Sequence, residues 1–143
     1  MLPVAKPKIL VVEDDDSVRR LLAEHLAEQM PVEVDSARDG VEALHMISST
    51  VYGVVILDLM MPKMSGVDLL DSLHALISDP SVKALDTPPP VLVITGQPSA
   101  SLSDSVIHRR SPEMVRDVFR KPLDIAKLAA SVKKHLRYDP TRR

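Results

Sequence analysis

Val54-Val55-Ile56-Leu57-Asp58-Leu59-Met60-Met61-Pro62 carries the strongest structural signal in the chain. A short apolar run is stopped by one carboxylate, and Pro62 and Gly66 follow closely. An uninterrupted apolar run of this length reads as a strand buried on both faces, as in a parallel sheet. Asp58 then stands at the carboxyl end of that strand, where open α/β sheets bind ligands. Taken alone, the run leaves two roles open for Asp58, a loop cap or a reactive acid.

The same pattern recurs on both sides of this run. Lys8 to Val12 is a first buried strand that ends in Glu13-Asp14-Asp15-Asp16. A helix follows with Val18, Leu21, Leu22, Leu26 and Gln29 on one stripe, capped by Asp15 or Asp16. Val32 to Ala37 alternates as a second strand, Asp39-Gly40 makes a turn, and Val41, Leu44 and Ile47 mark a second helix. After the strand at Val54–Leu57 comes a helix carrying Val67, Leu69, Leu70, Leu73, Leu76 and Ile77. The segment Ser78–Pro90 holds four prolines and reads as a loop. Val91 to Ile94 is a fourth strand ending at Thr95-Gly96, and a short fourth helix is expected near Ser101–Arg109. Met114 to Phe119 is a fifth strand, and a last helix from about Asp124 to Arg137 buries Ile125, Leu128, Ala129, Val132 and Leu136.

Five alternations of strand and helix predict an α/β fold, a doubly wound five-stranded parallel sheet with helices on both faces. All strand ends then share one edge, and Glu13, Asp14, Asp58, Thr95 and Lys121 converge there. Clustered carboxylates repel unless a cation neutralises them. An all-oxygen donor set without Cys or His favours a hard ion such as Mg2+. Such a site suits phosphoryl chemistry, with Asp58 supplying the attacking oxygen, and Lys121 and the Thr95 hydroxyl meeting phosphoryl oxygens.

Composition sets limits around this reading. The 143 residues fit one domain, expected as an extension at 1–7, a domain at 8–137 and a tail or linker start at 138–143. Aromatics are confined to Phe119, Tyr52 and Tyr138, which argues against a base-stacking surface and so against direct nucleic acid binding. Without cysteine there are no disulfides or cysteine-ligated metals. No signal segment or membrane-spanning run is seen, so a cytoplasmic protein without membrane insertion is expected. The net charge of −2 is uneven. Residues 1–104 carry 7 Lys/Arg against 16 Asp/Glu, and residues 105–143 carry 11 against 4. The basic end is either a solvated face or a docking surface for an acidic partner. His25, His45, His74, His108 and His135 lack ligand spacing, and no Gly-rich phosphate loop occurs.

The chain also resembles a known family, the receiver domains of two-component response regulators. The resemblance rests on Ile9-Leu10-Val11-Val12-Glu13-Asp14-Asp15, on Val55 to Pro62 with Gly66, on Val93-Ile94-Thr95 and on Phe119-Arg120-Lys121-Pro122-Leu123-Asp124. It implies a flavodoxin-like strand order 2-1-3-4-5 and a phosphoacceptor, Asp58, charged by the histidine of a sensor kinase or phosphotransfer protein. It further implies Mg2+ held by Asp14, Asp58 and the Met60 backbone carbonyl, with Glu13 completing the acid pocket. Thr95 would be the switch hydroxyl, and Lys121 the lysine before a cis Lys121-Pro122 bond. A downstream protein partner is implied on the face of the fourth helix, fifth strand and last helix. The family is not one of enzymes in the ordinary sense.

Three features depart from the family pattern. Val118 stands where an aromatic is usual, and Gly96–Met114 and Ser78–Pro90 look long. Two other classes stay open: a phosphorylation-independent scaffold, and a phosphohydrolase using Asp58 as nucleophile.

Overall fold

In the computed structural model, residues 6–59, 66–77, 88–96 and 114–137 are described. Five strands, β1 (Lys8–Val12), β2 (Glu33–Ala37), β3 (Val54–Asp58), β4 (Val91–Thr95) and β5 (Val115–Arg120), form one sheet. Its order is β2-β1-β3-β4-β5, and every pairing is parallel. Four helices lie among the described residues: α1 (Asp16–Gln29), α2 (Gly40–Ser49), α3 (Gly66–Ile77) and α4 (Ile125–His135). The expected helix near Ser101–Arg109 lies outside the described residues, as do the proline loop up to residue 87 and the tail 138–143.

The inner strands explain the layering. Every residue of β3 and β4 is buried, because helices cover both faces of the sheet. Alternate side chains enter two cores. Leu10, Val12, Val55, Leu57, Val91 and Val93 pack with Ala43 and Ile47 of α2 and Leu69, Leu70 and Leu73 of α3. Ile9, Val11, Val54, Ile56, Leu92 and Ile94 pack with Leu22 and Leu26 of α1 and Leu128, Ala129 and Val132 of α4. Asp15, Asp39 and Asp124 cap α1, α2 and α4, each accepting from a main-chain N–H three residues on.

Local differences from the sequence reading have physical causes. Leu21 is 53% exposed and Gln29 is also exposed. The core line of α1 runs through Leu22 and Leu26, leaving both residues on its flanks. Val41 is likewise 55% exposed. Gly40 opens α2 instead of closing a turn, since Asp39 takes the cap position. In β5 a bulge at Arg116 separates Val115, opposite Val91, from Asp117, opposite Leu92. The bulge resets the alternation, so Val115 and Val118 face the α2/α3 core while Phe119 packs on the α1/α4 core.

Candidate phosphoryl site at the carboxyl edge of the sheet

Register places the candidate residues side by side. Val12 pairs with Leu57, so Glu13, one step beyond β1, comes level with Asp58 at the end of β3. Asp58 pairs with Ile94, which puts Thr95 one step further along the neighbouring strand. Thr95 pairs with Arg120, and Lys121 follows at once, its N–H bonded to the Thr95 carbonyl at 3.0 Å. Asp58 and Thr95 are thus the last residues of their strands, where the sequence reading put them just past the ends.

Glu13, Asp14 and Asp58 each bring a carboxylate oxygen within 4.8 Å of the others, with Glu13 and Asp58 buried and Asp14 exposed. Lys121 extends its ammonium to 3.3 Å from Asp58 Oδ2 and 4.0 Å from Glu13 Oε2. The Lys121-Pro122 bond is cis, as the resemblance implied. Thr95 is fully buried, and its Oγ1 has no hydrogen-bond partner among the described residues. The Met60 carbonyl lies outside the described residues.

The electrostatics reflect crowding of like charge. Glu13 accepts the Asp15 N–H on Oε1 at 3.2 Å, while its buried Oε2 meets no hydrogen-bond donor among the described residues. Its carboxyl is pushed up to about 8, first by burial and then by Asp58, which accepts a hydrogen bond from the protonated form and repels a second charge. The Asp15 N–H and the Lys121 ammonium pull the other way. Burial would lower Lys121, but the charges of Asp58 and Glu13 overcome it and hold the ammonium above its ordinary value.

Three clustered carboxylates, one of them Glu13 with a buried oxygen that meets no donor among the described residues, fit a hard divalent cation. No histidine belongs to a potential metal cluster among the described residues. One contributor was missed in the sequence. Arg19 of α1 donates from Nη1 to the Glu13 carbonyl at 2.9 Å and from Nη2 to Asp16 Oδ1. Only its spacing from the acidic run hinted at this.

The model of the response regulator receiver domain matches residues 9–133. The chain belongs to this family. As a receiver domain it is a component of two-component signalling, in which response regulators receive phosphoryl groups from histidine kinases. It is 33% identical over 134 residues to the transcriptional regulatory protein PrrA of Mycobacterium leprae, covering 94% of this chain and 52% of the relative. The receiver thus spans about half the length of that relative. Among solved structures it resembles the receiver domain of the Francisella response regulator 1452, with a TM-score of 0.73, 26% identity and 90% and 94% of the two chains covered. It also resembles the response regulator TrrA of Thermotoga maritima in complex with Mg2+-BeF, with a TM-score of 0.69, 29% identity and 91% and 99% covered. Among the described residues no helix is long and apolar enough to cross a membrane.

Proposed function

We propose that this receiver is a phosphorylation switch in which Asp58 accepts a phosphoryl group from the histidine of a sensor kinase or phosphotransfer protein. The observation that carries the reading is Asp58 itself, 1% exposed at the end of a fully buried strand, between two carboxylates and an ammonium. The Asp58 carboxylate oxygen attacks phosphorus, a P–O bond forms, the donor's P–N bond breaks, and the imidazole nitrogen leaves with a proton from solvent. Lys121, already beside Asp58, meets one transferred phosphoryl oxygen, and the Thr95 hydroxyl, which has no partner among the described residues, is available to donate to another. Asp14 and Asp58, with the Met60 carbonyl, would hold Mg2+, and Glu13 would close the acid pocket. Bound there, Mg2+ supplies charge neutralisation for the carboxylates and the transferring group. The Mg2+-BeF complex of the similar TrrA supports the same donor chemistry.

Incubation with a small acyl phosphate and Mg2+, read by intact mass, tests this. One stable phosphoryl group on the wild-type chain and none on Asp58→Asn is expected. An unmodified wild type sinks the reading, and rapid multiple turnover would mean a phosphohydrolase.

The switch is read by a protein partner on the surface that β5 and α4 present. Basic residues dominate there: Arg116 on β5 and Lys127, Lys133 and Lys134 on α4 are all exposed. The partner is therefore acidic, and its affinity falls as salt rises. An affinity indifferent to salt refutes that assignment.

A second reading, a scaffold that does not need phosphorylation, is favoured by Val118. Val118 lies on the same face of the sheet as the core around Val93, and Phe119 on the other, so no aromatic shares the Thr95 side of β5. Equal partner affinity with and without phosphate on Asp58 would select it.

A further inference from the structure

We infer that Arg19 is a positioning residue for this site, fixing the acid pair from behind. The inference rests on the phosphoacceptor reading and adds a group outside the cluster.

Glu13 is held at three points. Its N–H donates to the Ala37 carbonyl of β2 at 3.1 Å, its Oε1 accepts from the Asp15 N–H, and its carbonyl accepts from Arg19. Two of these bonds have main-chain donors and do not depend on the side chain at position 19. The third is supplied by a side chain. Arg19 spans from that carbonyl to Asp16 in the first turn of α1, so a single planar guanidinium ties the strand end to the helix start. Asp14, which carries an exposed carboxylate of the cluster, lies in the turn so closed.

An ordinary helix-surface ion pair would not look like this. The Asp16 side chain is 76% exposed, and a pair on such a partner contributes little by itself. The Arg19 side chain is only 15% exposed. Its burial and its bond to the main chain follow the turn, not the charge. The consequence is geometric. Octahedral coordination of a small cation tolerates little displacement, and residues that orient its ligands matter nearly as much as the ligands.

Arg19→Met, Arg19→Lys and Arg20→Met separate the possibilities, each read by Mg2+ affinity, by phosphorylation rate with an acyl phosphate, and by thermal unfolding. Arg19→Met is expected to weaken Mg2+ about tenfold and to slow phosphorylation at subsaturating Mg2+, with the loss partly recovered at high Mg2+. Arg19→Lys stays close to Arg19→Met, because an ammonium cannot bridge the carbonyl and Asp16 in one plane. Arg20→Met, which removes the neighbouring exposed charge, matches wild type. An Arg19→Met protein that melts earlier yet keeps wild-type Mg2+ affinity overturns the inference, as does full rescue by Lys. A wild type that neither binds Mg2+ nor takes a phosphoryl group would instead bring down the phosphoacceptor reading, and the inference with it.

Discussion

Replacing Asp58 by asparagine should make the metal-free protein more stable, although it removes half of an ion pair. Asp58 is 1% exposed and shares its surroundings with Glu13, whose carboxyl is lifted from 4.5 to about 8 partly by Asp58 itself. Removing the Asp58 charge takes that repulsion away, and relieving a buried charge is worth about 1–4 kcal/mol. Against it stands the 3.3 Å contact to Lys121, whose side chain is 40% exposed, so the pair is worth under about 1 kcal/mol. Asparagine can still accept from that ammonium. The balance favours Asp58→Asn by about 1–2 kcal/mol, or roughly 3–6 °C in Tm for a domain of this size. Mg2+ at about ten times its Kd should stabilise the wild type by roughly 1.4 kcal/mol and leave the variant unmoved. Calorimetry in EDTA and then in Mg2+ reads both effects. A destabilisation of about 3–5 kcal/mol, as when a buried pair is broken, would refute the charge accounting. An Mg2+-dependent rise in the variant would refute the donor set.

Glu13 gives a pH dependence of definite sign. Its folded value of about 8 lies above 4.5, so its contribution to stability is fully present below pH 4.5 and is lost as pH rises through 8. Metal-free Tm should therefore fall between pH 5 and pH 9, and Glu13→Gln should flatten the slope; equal slopes count against the shift. Gly53→Ala should cost about 2–3 kcal/mol in urea unfolding, because a Cβ there would lie 2.3 Å from the Arg137 carbonyl oxygen and 2.7 Å from Leu136 Cδ1. Phosphorylation should be untouched, since Gly53 precedes β3 at the edge opposite Asp58. Tyr52, buried and bonded to Asp35 at 2.8 Å, is held above the ordinary phenol range first by burial and then by that carboxylate. In an absorbance titration it should resist ionisation well past pH 10, and Tyr52→Phe should remove that late phase while costing about 1 kcal/mol. A single phase near pH 10 for both tyrosines argues against the contact.

The sheet was legible because β1, β3 and β4 are inner strands, and burial on both faces leaves an apolar run that a polar residue must end. The same property exposed the site, since Glu13, Asp58 and Thr95 are those terminating residues. Legibility failed where a single residue departs from its element's period. Leu21 is apolar but sits on the flank of α1, and a periodic count cannot tell a flank from a core line. The Arg116 bulge has no pattern of its own and emerges only from the pairing of β4 with β5. Arg19 was invisible for another reason: its acceptor is a carbonyl, and main-chain acceptors leave no mark on residue identity. The proton balance of Glu13 likewise depends on distances that spacing along the chain does not encode.

The bulge has one more consequence. Leu92 pairs with Asp117, so every downstream partner, through Thr95 with Arg120, is counted from Asp117 and not from Val115. Arg116 is slack in the chain. Loss of that one residue would let Val115 run straight into Asp117 without moving Lys121 relative to Asp58, whereas a deletion between Val118 and Lys121 would turn the lysine to the other side of the sheet. The edge strand therefore absorbs changes of length before the bulge and refuses them after it, which separates the drift of the connecting segments from the spacing on which the proposed phosphoryl site depends.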